Sequence, residues 1–220
     1  MRKIDKTHII STKYKEWEES LGQIHPKYNS SDNKYYYDVV MNLFYCQRGV
    51  CAYTEELLCH DDLYDKPQWK NGKYPKEKPE FHGALDHFDP ELKQTSAWAW
   101  DNFFMVQKDI NDKHKRDKEV DDILRPDRDG YNPFELLEYD EFSHVFIANT
   151  SLEVSIQQRI NKMIETLGIN HSTSKTKRKK HCNALVEKIN DFGISSWNEE
   201  ETNNYQFFTA FEFLKQIYNK

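Results

Sequence analysis

The chain reads as an α+β protein, mainly α. Apolar residues recur at helical spacing near the N-terminus and through the last third, two short β-rich runs are set off by turn residues, and a long proline-punctuated stretch follows the first helix. In "YYYDVVMNLFYCQRG" Val39, Val40, Leu43 and Phe44 form one helical stripe. Gly49 follows where a C′ residue belongs, so the helix is expected to stop there. "VCAYTEELL" predicts a short strand or turn, and Lys66 to Pro79 a loop of the length that usually carries function or motion.

"GALDHF" suits a strand end. "SAWAWDNFFMVQKDINDKHKRDK" passes from an aromatic cluster into a polar helical segment, and the two stretches together have the size of a ββα unit. In "LRPDRDGYNPFELLEYDEFSHVFIAN" the residues Pro126, Gly130 and Pro133 mark turns, and alternating "HVFIA" marks a strand. Asp127 and Asp129 lack the further ligands of a calcium loop and read as part of a turn. Thr150 and Glu153 make a capping-box pattern ahead of the apolar face Ile156, Ile160, Met163, Ile164 and Leu167, which stops at Gly168. "CNALVEKINDFG" and "YQFFTAFEFLKQIYNK" are two further amphipathic segments.

With 220 residues, one compact domain is expected: an N-terminal helical flank (1–50), the ββα-sized module (51–120) and a mostly helical region packed on it (121–220). Hydrophobic residues make up 37% and aromatics 14%, so Trp, Tyr and Phe must supply much of the buried area. No run approaches the roughly 20 apolar residues that span a bilayer, and "MRKIDKTHII" has no apolar stretch behind its basic start. A cytoplasmic chain with no membrane role is the expectation.

Cys46, Cys51, Cys59 and Cys182 are then thiols. Cys46 and Cys51 have the wider, C-x4-C, of the usual zinc-knuckle spacings, and Cys59 and His60 could complete four ligands, but small buried hydrophobes are the simpler reading. The net charge of −6 argues against a protein that coats nucleic acid unaided. Any such contact must be local, at "KHKRDK" (113–118) or "KTKRKKH" (175–181), although a charge block alone specifies no ligand.

One constellation carries chemistry. Asp86 and His87 adjoin in "LDHFDP", Asn102 follows in "WDNFF" and Asn111 in "DINDKHK". Phosphodiester hydrolysis needs a hard cation on oxygen ligands, which Asp86 and Asn111 supply for Mg²⁺. It also needs a base for water, which a histidine supplies when a hydrogen bond holds one tautomer. His87 is that candidate, with Asn102 or a nearby backbone carbonyl as its orienter.

This ordered set resembles the HNH, or ββα-metal, endonucleases. The resemblance implies an HNH ββα-metal nuclease module embedded between helical segments. It makes Asp86 and Asn111 ligands of catalytic Mg²⁺ or Mn²⁺, His87 the general base, and Asn102 the middle asparagine that positions the base or braces the loop. His114, three residues past Asn111, becomes a further metal ligand or phosphate contact. Lys113, Lys115 and Arg116 become nucleic-acid-binding phosphate clamps.

More narrowly, "MRKIDK", "CAYTEELL", "LDHFDPE" with "WDNFFMV", and "LRPDRDGYNPFELLEYDEFSHVFIAN" ahead of "INKMIETLGIN" resemble the HNH nuclease subunit of Septu-type anti-phage systems, also found with some retrons. That likeness implies an ABC-type ATPase partner that controls the nuclease, and DNA or tRNA as substrate. Many such proteins have a second cysteine where this chain has Thr54, and another pair near the third motif, where "QKDIN" has none. A structural zinc is therefore not expected, and Trp98, Trp100, Phe103 and Phe104 must hold the module. The alternative is a catalytically weak HNH scaffold acting as a protein-interaction module, docking through the aromatic C-terminal helix.

Overall fold

The computed structural model describes residues 1–29, 33–75, 78–193 and 206–218. It is α+β, with two two-stranded antiparallel sheets among the described residues. The chain divides into two compact units: Ile4–Cys51 with Leu58–Val120, and Met1–Lys3 with Ala52–Leu57 and Asp121–Lys220. The backbone therefore passes between them four times.

In the first unit, α1 (Thr12–Leu21) starts at Ser11, whose hydroxyl accepts from the Tyr14 amide and donates to the buried carboxylate of Asp38. Helix α2 (Tyr36–Gln47) buries Val39, Val40, Leu43 and Phe44 completely, the stripe expected from their spacing. It ends through a left-handed Arg48 and then Gly49 at φ +71°, where a Cβ would come within 2.1 Å of the Cys59 carbonyl oxygen. A short α3 (Asp61–Tyr64) precedes the expected long loop, whose first residues form a 3₁₀ turn (Lys66–Gln68).

The hairpin of this unit pairs β1 (Ala84–His87) with β2 (Phe103–Val106), placing Asp86 opposite Phe104 and His87 opposite Phe103. Between the strands lie α4 (Leu92–Thr95) and a 3₁₀ turn, Trp100–Asn102; after β2 comes a π-helical turn, Ile110–Lys115. Every residue of β2 is buried, as a strand covered on both faces must be. Gln47 joins helix to strand: its Nε2 donates to the carbonyls of Val50 and Met105, both at 2.8 Å, and its Oε1 accepts from the Met105 amide at 2.9 Å. Trp98, Trp100, Phe103 and Phe104 are buried as expected, and Trp98 packs edge-on against both Trp17 and Phe103.

In the second unit, α5 (Pro133–Leu136) leads into the hairpin β3 (Leu137–Asp140) and β4 (Val145–Ala148), followed by α6 (Val154–Thr166), α7 (Ser172–Phe192) and α8 (Phe208–Tyr218). The expected capping box does not form. Helix α6 begins beyond it, and Thr150 instead donates through its amide and hydroxyl to Glu138. Of the expected face, Ile160, Met163, Ile164 and Leu167 are buried and Ile156 is half-buried.

Helix α7 extends further toward the N-terminus than "CNALVEKINDFG" and takes in the second basic run. Arg178 of that run is buried, donating to the carbonyls of His144 and Ile169 and to Asn170 Oδ1. Helix α8 buries Thr209, Ala210, Phe211 and Leu214, so its inner face is core rather than a docking surface; Tyr205, Asn219 and Lys220 of that segment lie outside the described residues. The stretch Ala52–Leu57 joins this unit through Glu55, whose carboxylate accepts from the Thr209 amide at 2.8 Å and from its hydroxyl. No described helix is long and apolar enough to cross a membrane.

Candidate active site

Strand β1 delivers Asp86 and His87 side by side at its C-terminal end, and alternation along a strand turns them different ways. The His87 ring packs edge-on to Tyr28 and beside Phe103, with centroids 4.8 Å away in each case. Its Nε2 lies 2.9 Å from the Ala97 carbonyl oxygen. Because a carbonyl only accepts, Nε2 carries the proton and the neutral ring keeps its lone pair on Nδ1. Burial pushes the imidazole pKa down to about 4 against the pull of that bond, with Lys93 and Lys115 adding repulsion, so the ring is neutral at pH 7.

The expected orienter is thus a backbone carbonyl, five residues ahead of Asn102. Asn102, almost fully buried, holds the loop after β1 instead: its Oδ1 accepts from the Asp89 amide at 2.8 Å and its Nδ2 donates to the Asp89 carbonyl at 2.9 Å. The Phe88 amide donates to the Asn102 carbonyl at 2.8 Å. Of the two roles expected for this asparagine, the contacts are those of a loop brace.

A cleft of about 380 Å³ is lined by Tyr28, Asp86, His87, Lys93, Asn111 and Arg116, with Asp112 and Asp117 at its wall. The structure therefore gathers Asp86, His87, Asn111 and Arg116, which are separated in the sequence, into one concavity. Lys113 is exposed and paired with Asp109 at 2.9 Å, and His114 is half-buried but does not line the cleft.

Lys115 departs from its expected role. It is fully buried and cannot reach a backbone phosphate in this conformation; its Nζ donates to Asp86 Oδ1 at 3.1 Å and to the His87 carbonyl at 2.7 Å. The π-helical turn explains the position of His114. In an α-helix residue i+3 shares the face of residue i, but the wider π turn, closed here by the Arg116 amide on the Asn111 carbonyl, brings i+4 and i+5 round to that face. Lys115 and Arg116 therefore follow Asn111 toward β1 while His114 turns away.

The sequence reading missed Tyr28 and Lys93, and it foresaw a backbone carbonyl near Asn102 without placing it at Ala97. Nothing in "HPKYN" distinguishes Tyr28 from any loop tyrosine, and a backbone carbonyl has no sequence signature. Among the described residues no group of three or more His, Cys, Asp or Glu side chains could hold a metal, which applies equally to the cysteines weighed above. Burial pushes the thiols of Cys46 and Cys59 up to about 12, far from thiolate. Among the cleft's oxygen donors, the Asp86 carboxylate and the Asn111 amide fit Mg²⁺ or Mn²⁺, hard ions that keep several waters and take further ligands from substrate phosphate. No family model and no curated protein matches this chain.

Proposed function

We propose that the chain is a divalent-metal-dependent endonuclease of the HNH type that hydrolyses phosphodiester bonds in nucleic acid. The observation that supports it best is His87, fixed by Ala97 in the tautomer of a base and lining the same cleft as Asp86 and Asn111. The order strand, strand, helical turn around that cleft agrees with a ββα-metal module.

In this reading His87 Nδ1 takes a proton from the water that attacks phosphorus, and the bond from phosphorus to the leaving 3′ oxygen breaks. Asp86 and Asn111 would hold Mg²⁺ or Mn²⁺, which when bound supplies charge stabilisation to the leaving oxygen. Asn102 keeps the loop after β1 in place. Arg116, exposed at the cleft, contacts a neighbouring phosphate.

The sequence resemblance to Septu-type nuclease subunits extends the proposal to an anti-phage effector in the cytoplasm, acting on DNA or tRNA under an ABC-type ATPase partner. The test is incubation of the purified chain, alone and with a co-expressed ATPase, with plasmid DNA and total tRNA in Mg²⁺, Mn²⁺ or EDTA. Cleavage that requires metal and disappears in His87→Ala supports the proposal. Cleavage undiminished in His87→Ala refutes it.

A second reading, a catalytically weak scaffold serving protein interaction, draws on one contact: Asp86 already holds the Lys115 ammonium. It predicts no Mn²⁺ affinity that depends on Asp86.

A further inference from the structure

The Lys115 ammonium bonds two oxygens at the end of β1, Asp86 Oδ1 and the His87 carbonyl; Lys115 is fully buried and Asp86 is 4% exposed, at the cleft. These are the kind of donors a hard cation at Asp86 would use. A buried ammonium and a divalent ion repel strongly at such range in a site of low polarisability. The next residue, Arg116, is held at φ +49° and ψ −131°, a conformation that non-glycine residues adopt only under constraint from their surroundings. The turn that carries Lys115 is thus strained on its C-terminal side and tied to β1 by the lysine itself.

We propose that Lys115 is a resident counter-cation, which holds the Asp86 carboxylate in place in the metal-free chain and must release it for a divalent ion to bind. This rests on the nuclease reading. It makes Lys115 a positioning residue that lowers the chain's own metal affinity, so that stable loading requires the extra oxygens of a substrate phosphate. The rival account is a purely structural ion pair, with metal bound on the far side of Asp86. In that account loss of Lys115 leaves metal affinity unchanged or weakens it.

Mn²⁺ binding, followed by electron paramagnetic resonance without nucleic acid, separates the two. We expect Lys115→Met to bind Mn²⁺ at least tenfold more tightly than wild type, and Asp86→Asn to abolish that binding in both backgrounds. Affinity in Lys115→Met equal to or weaker than wild type, with binding still dependent on Asp86, overturns the counter-cation while leaving the nuclease reading intact. Absence of any Asp86-dependent Mn²⁺ site in wild type and Lys115→Met overturns both.

Should Lys115→Met fail to fold, the ¹⁵N resonance of Lys115 Nζ in the wild-type chain supplies the answer during a Mg²⁺ titration. A shift toward the value of an exposed lysine supports displacement. A resonance unmoved once Mg²⁺ occupies Asp86 rules it out.

Discussion

His87 and Ala97 are joined by a 2.9 Å hydrogen bond from a ring nitrogen to a main-chain oxygen, within an imidazole site only 6% exposed. The folded ring resists protonation until about pH 4, against an ordinary value of 6.5. Between those values the unfolded chain binds more protons. The associated stability is therefore fully present above pH 6.5 and lost as pH falls to about 4, a difference of up to about 3 kcal/mol. Urea unfolding of wild type and His87→Phe across this range should show the wild type losing more stability on acidification. Parallel pH profiles for the two proteins would contradict the assignment.

The same ring sets an expectation for rate. If neutral His87 is the base, kcat/KM, which reports the free enzyme, should stay level on its acid side down to about pH 4 and fall below it. Replacing His87 by Ala should cost roughly 10²- to 10⁴-fold at pH 7. A pH–rate profile that breaks near 6.5 would point to a different, more exposed base.

Asn102→Ala removes both arms of the clasp on Asp89 and leaves the half-buried Asp89 amide and carbonyl without that partner. The expected loss is about 1–3 kcal/mol in urea unfolding. Asn102→Asp keeps the acceptor for the Asp89 amide but sets a carboxylate against the Asp89 carbonyl, so it should not restore stability.

Gln47 meets three backbone groups with one side-chain amide. Gln47→Met keeps the bulk and strands those groups in the core; a loss of about 2–4 kcal/mol with an unchanged denaturant slope is expected. A loss below about 0.5 kcal/mol would mean that water replaces the amide.

Gly49→Ala must place its methyl 2.1 Å from the Cys59 carbonyl oxygen, so the backbone has to move. Its cost should exceed the about 1–2 kcal/mol of a left-handed conformation alone. Thermal unfolding of the variant measures it directly.

The sequence made helix α2 and its stop legible because the period of Val39, Val40, Leu43 and Phe44 and the glycine after them are local signals. The strand holding Asp86 and His87 and the burial of Trp98 to Phe104 were legible for the same reason. Strand β3 was not singled out, because "LEYD" is short and sits among turn residues. His114 was set beside Asn111 because facing was counted at α-helical spacing, and a π turn has no signature in "INDKHK"; Lys115 was assigned to a phosphate from its charge alone, although its ammonium is held by Asp86. Thr150 was assigned a helix cap, yet the hairpin carboxylate of Glu138 bonds it instead. For Thr150 a tertiary contact outweighed a local preference.

The insertion of Ala52–Leu57 into the second unit also sets an order of assembly. All residues of the unit that carries the cleft have been synthesised by Val120, whereas Glu55 waits for Thr209. At ordinary elongation speeds that interval is on the order of ten seconds. The contact between Glu55 and Thr209 closes a loop of 154 residues, a costly and slow step for any chain. Synthesis thus completes the residues of the cleft before residues 52–57 can meet their partner Thr209, and a product truncated after Val120 keeps every cleft residue while leaving that hexapeptide without the unit it belongs to.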